Sequence, residues 1–207
     1  ALFAALQRLF NSANRNGVVC VASAGNSFLD MDGLQSWRHL PSQCSNVICV
    51  IGTNVYDDIA LDLYPNGTVI WGSNYGSCLH GISAPGGDNA LTEPTWYRSE
   101  FPNQPKVPWN YMMGWIFSTG LMANYPYIYL RGTRTSFSAP HVAGVAGLIL
   151  SINPRLTPSQ VRHFLFAGAK DIGDPGYDEY FNFGLLNAYE SVLMASTSRI
   201  RNNPLLG

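Results

Sequence analysis

Gly132-Thr133-Arg134-Thr135-Ser136-Phe137-Ser138-Ala139-Pro140-His141-Val142-Ala143-Gly144 carries one serine, Ser136, at the mouth of a run of small and branched apolar residues. The run predicts a helix. Pro140 is tolerated only near a helix start, where its missing N–H costs nothing. A hydroxyl at that place is suited to nucleophilic attack. The first turn has backbone N–H groups without helical partners and a partial positive charge. Such donors can hold the oxyanion that forms when the hydroxyl attacks a carbonyl. A lone serine before a helix is otherwise a plain N-cap.

Downstream, Val142, Val145, Ala146 and Ile149 recur at helical spacing and predict a core-facing stripe. Gly144 and Gly147 are small enough for close packing against a neighbour. Thr157-Pro158-Ser159-Gln160 is a capping box with proline at the first helical position, opening a helix that carries Val161, Phe164 and Leu165. A last helix is predicted over 186–194, with residues 195–207 as a tail.

Upstream, Leu2, Ala5, Leu6, Leu9 and Phe10 predict an amphipathic helix over 2–15, stopped by Asn16-Gly17. Val18-Val19-Cys20-Val21-Ala22 and Val47-Ile48-Cys49-Val50-Ile51 are continuous apolar runs, as in strands buried on both faces of a parallel sheet. Helix, strand, loop, strand in this order predicts an α/β fold with a doubly wound, mostly parallel sheet flanked by helices. Ligands of such sheets bind at the carboxyl ends of strands, where Asn26 falls. Residues 53–86 read as loops and short strands. Residues 87–131 differ: these 45 residues hold ten aromatics and five prolines, an aromatic content at odds with disorder. Ordered loops of this length are commonly lids or binding surfaces.

The 207 residues carry 12% charged side chains and a net charge of −1. There is no basic stripe to suggest nucleic acid, and no apolar run approaching a membrane span. None of Cys20, Cys44, Cys49 and Cys78 lies in a CxxC pair, which argues against zinc. They admit three disulfide connectivities or buried free thiols, the latter suiting Cys20 and Cys49 inside apolar runs. Asn66-Gly67-Thr68 is a glycosylation sequon in a turn-like stretch.

The segment Thr135-Ser136-Phe137-Ser138-Ala139-Pro140-His141-Val142-Ala143-Gly144 closely resembles the nucleophile motif of the subtilisin-like serine peptidases, with Ser136 on the nucleophile. Val19-Cys20-Val21-Ala22-Ser23-Ala24-Gly25-Asn26 resembles the family's strand leading to its oxyanion-hole asparagine. Ser73-Asn74-Tyr75-Gly76, Ile82-Ser83-Ala84-Pro85-Gly86, the 156–173 stretch and Phe183-Gly184-Leu185-Leu186-Asn187-Ala188 resemble the family's remaining segments. The likeness spans 1–194 apart from the longer 87–131, and marks the C-terminal part of a catalytic domain. It implies that Asn26 and the Ser136 N–H hold the oxyanion. It implies also that Ser23, Ala24 and Gly25 offer backbone to substrate and line one wall of the primary specificity pocket. The chain departs from the family's pattern at Arg134, where glycine is usual, and at Phe137, where methionine is common. His80 stands where many members have an acidic residue that can serve a calcium ion, and it brings no carboxylate. The chemistry itself implies no cofactor.

Family order is Asp, then His, then Ser, and both earlier residues belong upstream of residue 1. The four histidines, His39, His80, His141 and His163, lack the family's histidine context. Asp32-Gly33 follows Asn26 and has no apolar strand before it. The resemblance therefore implies a serine endopeptidase acting on polypeptides through an acyl-enzyme on Ser136. An N-terminal part of the same protease, as a missing segment or a second chain, would supply the base and its orienter, and this chain alone would be inactive. The rival is a non-catalytic pseudoprotease or interaction module, against which the presence of both Ser136 and Asn26 argues. Family habit and the sequon imply a secreted or vacuolar, lysosome-like setting.

Overall fold

The computed structural model describes residues 2–34, 36–64, 66–88, 96–97, 107–108, 114–122 and 125–201. Helix α1 (Leu2–Arg15) leads into β1 (Cys20–Ser23), and β2 (Val47–Thr53) and β5 (Ile82–Pro85) complete a parallel sheet of order β1-β2-β5. Cys20 pairs with Val47 and Val50 with Ile82. A small antiparallel pair, β3 (Leu61–Leu63) and β4 (Val69–Gly72), lies between β2 and β5 in sequence. Three helices follow the sheet: α2 (Thr135–Ile152), α3 (Pro158–Ala167) and α4 (Ala188–Arg201). The architecture is α/β, a parallel sheet flanked by helices, as the alternation of patterns predicts.

Strand β2 shows why the apolar runs are continuous. All seven of its residues are buried. Ile48 and Val50 join one cluster with Ile82, Ala84, Val142, Ala146, Ile149, Val161 and Leu165. Cys49 and Ile51 point the other way, to Ala24, Met31 and Leu79. A strand covered on both faces has no use for polar alternation. Ile82, Ile149 and Leu165 are each 0% exposed, and burial of such side chains is worth about 1.5–3 kcal/mol apiece. By length and composition α2 could cross a membrane, but it is the helix on which this core is built.

The capping box forms as expected: the Thr157 side chain accepts from the Gln160 N–H while Gln160 Oε1 accepts from the Thr157 N–H. Three expectations are corrected. Helix α4 continues to Arg201, and Ala195 is 0% exposed in the core, so the predicted tail from 195 begins as helix. Pro140 lies inside α2, as its sixth residue, so the Ser136 carbonyl has no N–H at the fourth position beyond it. Gly144 and Gly147 meet no neighbour: a Cβ built on either finds nothing within 4 Å among the described residues.

Within the aromatic-rich stretch, β8 (Ile116–Met122) and β9 (Tyr125–Gly132) form an antiparallel hairpin, and the two-residue strands β6 (Trp96–Tyr97) and β7 (Val107–Pro108) pair with each other. The remainder of the 87–131 stretch lies outside the described residues. All four cysteines are free thiols. Burial pushes Cys49 up to about 12. Burial, then the Asp32 carboxylate beside it, pushes Cys78 up to about 11.

Candidate active site

Ser136 is the second residue of α2 and is exposed. The donors on either side of it are spent. The Thr135 N–H donates to Asn26 Oδ1 at 2.9 Å, and the Phe137 N–H donates to the Arg134 carbonyl at 2.9 Å. The Ser136 N–H between them takes no partner among the described residues. Thr135 Oγ1 also donates to Asn26 Oδ1, at 2.9 Å. The carboxamide oxygen of Asn26 is thus held twice by the residue next to Ser136, across 109 positions of sequence. Its Nδ2 takes no partner among the described residues. Two open donors, Ser136 N–H and Asn26 Nδ2, are brought to the same helix start, as an oxyanion hole requires.

Ser23 ends β1, and Ala24 and Gly25 continue it. Their backbone is largely occupied. The Ala24 N–H donates to the Val50 carbonyl at 2.9 Å. The Ala24 carbonyl accepts from Asn74 Nδ2 at 3.0 Å, and the Gly25 carbonyl from the Asn74 N–H at 3.0 Å. The Gly25 N–H takes no partner among the described residues and is left to offer to substrate. Gly25 has φ +103°, and a Cβ there would stand 2.7 Å from His39 Nε2. The strand end is therefore closed by two side chains that sequence reasoning did not assign to it, Asn74 and His39. Their signal was faint, since each contacts the loop from a distant stretch of chain.

Each of the four histidines has its neighbours elsewhere than at Ser136 among the described residues. His39 Nδ1 lies 2.9 Å from Ser42 Oγ. His141 Nδ1–H donates to the Phe137 carbonyl at 2.8 Å. His80 Nδ1 is 3.4 Å from the Tyr177 hydroxyl, and His163 is exposed with its ring beside Phe164. Ser136 Oγ has no hydrogen-bond partner among the described residues. Asp32 is structural: its carboxylate accepts the Ser77 and Cys78 N–H groups at 2.7 and 2.8 Å. Burial raises its pKa, but these two donors outweigh it and hold the carboxyl below its ordinary value. Among the described residues no group of three His, Cys, Asp or Glu side chains could hold a metal. A cavity of about 820 Å³ lies by Cys44, Cys78, Arg162 and Phe166 and includes neither Ser136 nor Asn26.

Burial lowers the His39 pKa. The unfolded chain then binds a proton near pH 6.5 that the folded chain refuses until lower pH, so stability falls as pH drops through that window. Melting temperature is expected to fall between pH 7 and pH 5, and to fall less in His39→Gln. An equal fall in both proteins would show that His39 does not carry the effect.

Arg134 precedes the helix with φ 129° and ψ 158°, a region open essentially to glycine alone and costing about 1–3 kcal/mol for other residues. Its guanidinium lies 4.6 Å from the centre of the Trp71 ring, and Nη1 donates to Thr133 Oγ1 at 3.1 Å. The stack, about 0.5–2 kcal/mol, offsets part of the strain. Arg134→Ala keeps the strain and loses the stack, while Arg134→Gly loses both. The glycine variant is expected to be more stable than the alanine variant by about 0.5–2 kcal/mol, the strain less the chain entropy that glycine costs, the reverse of the usual order, in a chemical denaturation series.

The sequence model of the subtilase family matches residues 2–184. The chain belongs to the subtilase family. This subtilase is 32% identical over 186 residues to Subtilisin DY of Bacillus licheniformis, covering 88% of the chain and 50% of that relative. It is 29% identical over 163 residues to the extracellular basic protease of Dichelobacter nodosus, covering 77% of the chain and 20% of the relative. The crystal structure of a lanthipeptide protease superposes with TM-score 0.67 at 27% identity, covering 93% of the chain and 55% of that structure. The subtilase chain thus spans half the length, or less, of these two curated relatives.

Proposed function

We propose that this chain supplies the nucleophile and the oxyanion hole of a serine endopeptidase. Ser136 Oγ attacks the carbonyl carbon of a peptide bond and its proton passes to a histidine. The carbonyl oxygen, now negative, is held by the Ser136 N–H and Asn26 Nδ2. The histidine returns the proton to the leaving amine as the C–N bond breaks, and water then releases the acyl group from Ser136. The observation that supports this reading is the double hold of Thr135 on Asn26, which ties the Asn26 carboxamide to the residue before the exposed Ser136.

The histidine and its aspartate come, in this proposal, from polypeptide outside these residues. The surface supports that. Strand β1 is an edge of the sheet among the described residues. Leu2 and Leu9 of α1 are 67% and 59% exposed, and Leu148 of α2 is 52% exposed beside the open Gly144 and Gly147. Apolar groups on an unpaired edge are what further strands and helices of one domain would cover. An extracellular setting fits the likeness to the extracellular basic protease of Dichelobacter nodosus.

The test is labelling with a fluorophosphonate probe, which requires an activated serine. Strong labelling at Ser136 is expected when the remainder of the catalytic domain is present, and negligible labelling of this chain alone. Strong labelling of the chain alone would overturn the need for a second part. No labelling in either case would favour the pseudoprotease.

A further inference from the structure

We propose that Asn74 is a positioning residue that fixes the loop presenting Asn26, a role that rests on Asn26 being an oxyanion donor. Asn74 is 2% exposed. Its carboxamide straddles the Gly25-Asn26 dipeptide. On the near side Nδ2 donates to the Ala24 carbonyl at 3.0 Å. On the far side Oδ1 accepts the Ser27 and Leu29 N–H groups, each at 3.1 Å. Its own backbone N–H donates to the Gly25 carbonyl at 3.0 Å. One residue therefore bonds Ala24, Gly25, Ser27 and Leu29, on both sides of Asn26, and leaves the Asn26 side chain for Thr135 and the oxyanion.

Only an amide of this length does this, because the site asks for a donor at one end and a two-fold acceptor at the other. Aspartate would set a carboxylate oxygen against the Ala24 carbonyl, and alanine would leave two N–H groups and a carbonyl unpaired. Gly25 is part of the same device. A Cβ on it would lie within van der Waals overlap of Asn74 Nδ2, so the amide occupies the room that glycine leaves. Asn74 is itself anchored: Ser73 Oγ donates to the Asn74 carbonyl at 3.0 Å and accepts the Gly52 N–H at 2.9 Å. The clamp is thereby tied to β2, the fully buried strand of the sheet.

A loop so held does not have to be ordered during reaction. A displacement of the donor by about 1 Å is enough to cost up to about 10²-fold in rate. The test is a double-mutant cycle of Asn74→Ala and Asn26→Ala in the intact protease, with kcat and KM measured on a peptide substrate. Asn74→Ala is expected to lower kcat by about 10–10²-fold with KM nearly unchanged, and to lower it no further once Asn26 is alanine. An additive loss in the double variant, a loss confined to KM, or no loss at all would overturn the role. If Asn26→Ala leaves kcat unchanged, the oxyanion reading of Asn26 falls, and this proposal with it. Should Asn74→Ala not fold, the cycle is run with Asn74→Asp, which keeps the shape and removes the donor. Its activity relative to the wild type should rise as pH falls, because a protonated carboxyl can again donate to the Ala24 carbonyl, and a ratio flat with pH would count against the clamp.

Discussion

Ser136→Ala in the intact protease is expected to abolish fluorophosphonate labelling and to lower kcat by about 10⁶-fold, the size of loss recorded for the nucleophile of subtilisin. The reason is geometric. Ser136 Oγ is exposed at the helix start, and no other hydroxyl among the described residues shares its place. Ser138, two residues on, is buried at 0% exposure, pressed against the residue that follows β5, where a Cβ on Gly86 would fall 2.7 Å from its Oγ. Thr135 Oγ1 is engaged with Asn26. With Ser136 removed, water is the remaining nucleophile. Substrate affinity should change little, since the hydroxyl adds little to ground-state binding. A residual kcat within tenfold of the wild type would sink the assignment.

Asn26→Ala is expected to lower kcat by about 10²–10³-fold, the loss seen when the corresponding donor is removed from subtilisin, with KM nearly unaltered. Nδ2 would meet an oxygen that carries negative charge only after attack, so its bond strengthens in the transition state. Alanine also releases the Thr135 N–H and hydroxyl from their acceptor. Asn26→Asp separates the two contributions. It keeps the acceptor for Thr135 but replaces the donor with negative charge beside the oxyanion, so its kcat should be no better than that of alanine. Equal kcat in the aspartate variant and the wild type would mean that Asn26 serves only to hold Thr135.

Both motifs behind these expectations were legible because each is short and contiguous, with its chemistry set by the end of one element. The Thr157 capping box was legible for the same reason. Asn74 was visible as part of a family-like segment, but its bonds to Ser27 and Leu29 cross 47 and 45 positions, and pattern carries no such pairing. The extension of α4 was hidden by Ser196, Thr197 and Ser198, which lack apolar periodicity. In the structure their hydroxyls fold back onto the carbonyls of Leu193, Met194 and Ala195 at 2.7, 3.0 and 2.7 Å, so the helix continues with polar residues. Gly144 and Gly147 misled because small residues permit a close neighbour without providing one.

The long excursion before α2 leaves and rejoins the fold at a single place. The Arg134 N–H donates to the Gly86 carbonyl at 3.0 Å, and the Asp88 N–H to the Gly114 carbonyl at 3.2 Å. Where the two ends of a segment are fastened to each other, its length is nearly free: each doubling costs only about 0.6 kcal/mol of closure entropy. This is a graft point. By that cost, changes of length between Asp88 and Gly114 are expected to leave the turn that carries Ser136 in its place.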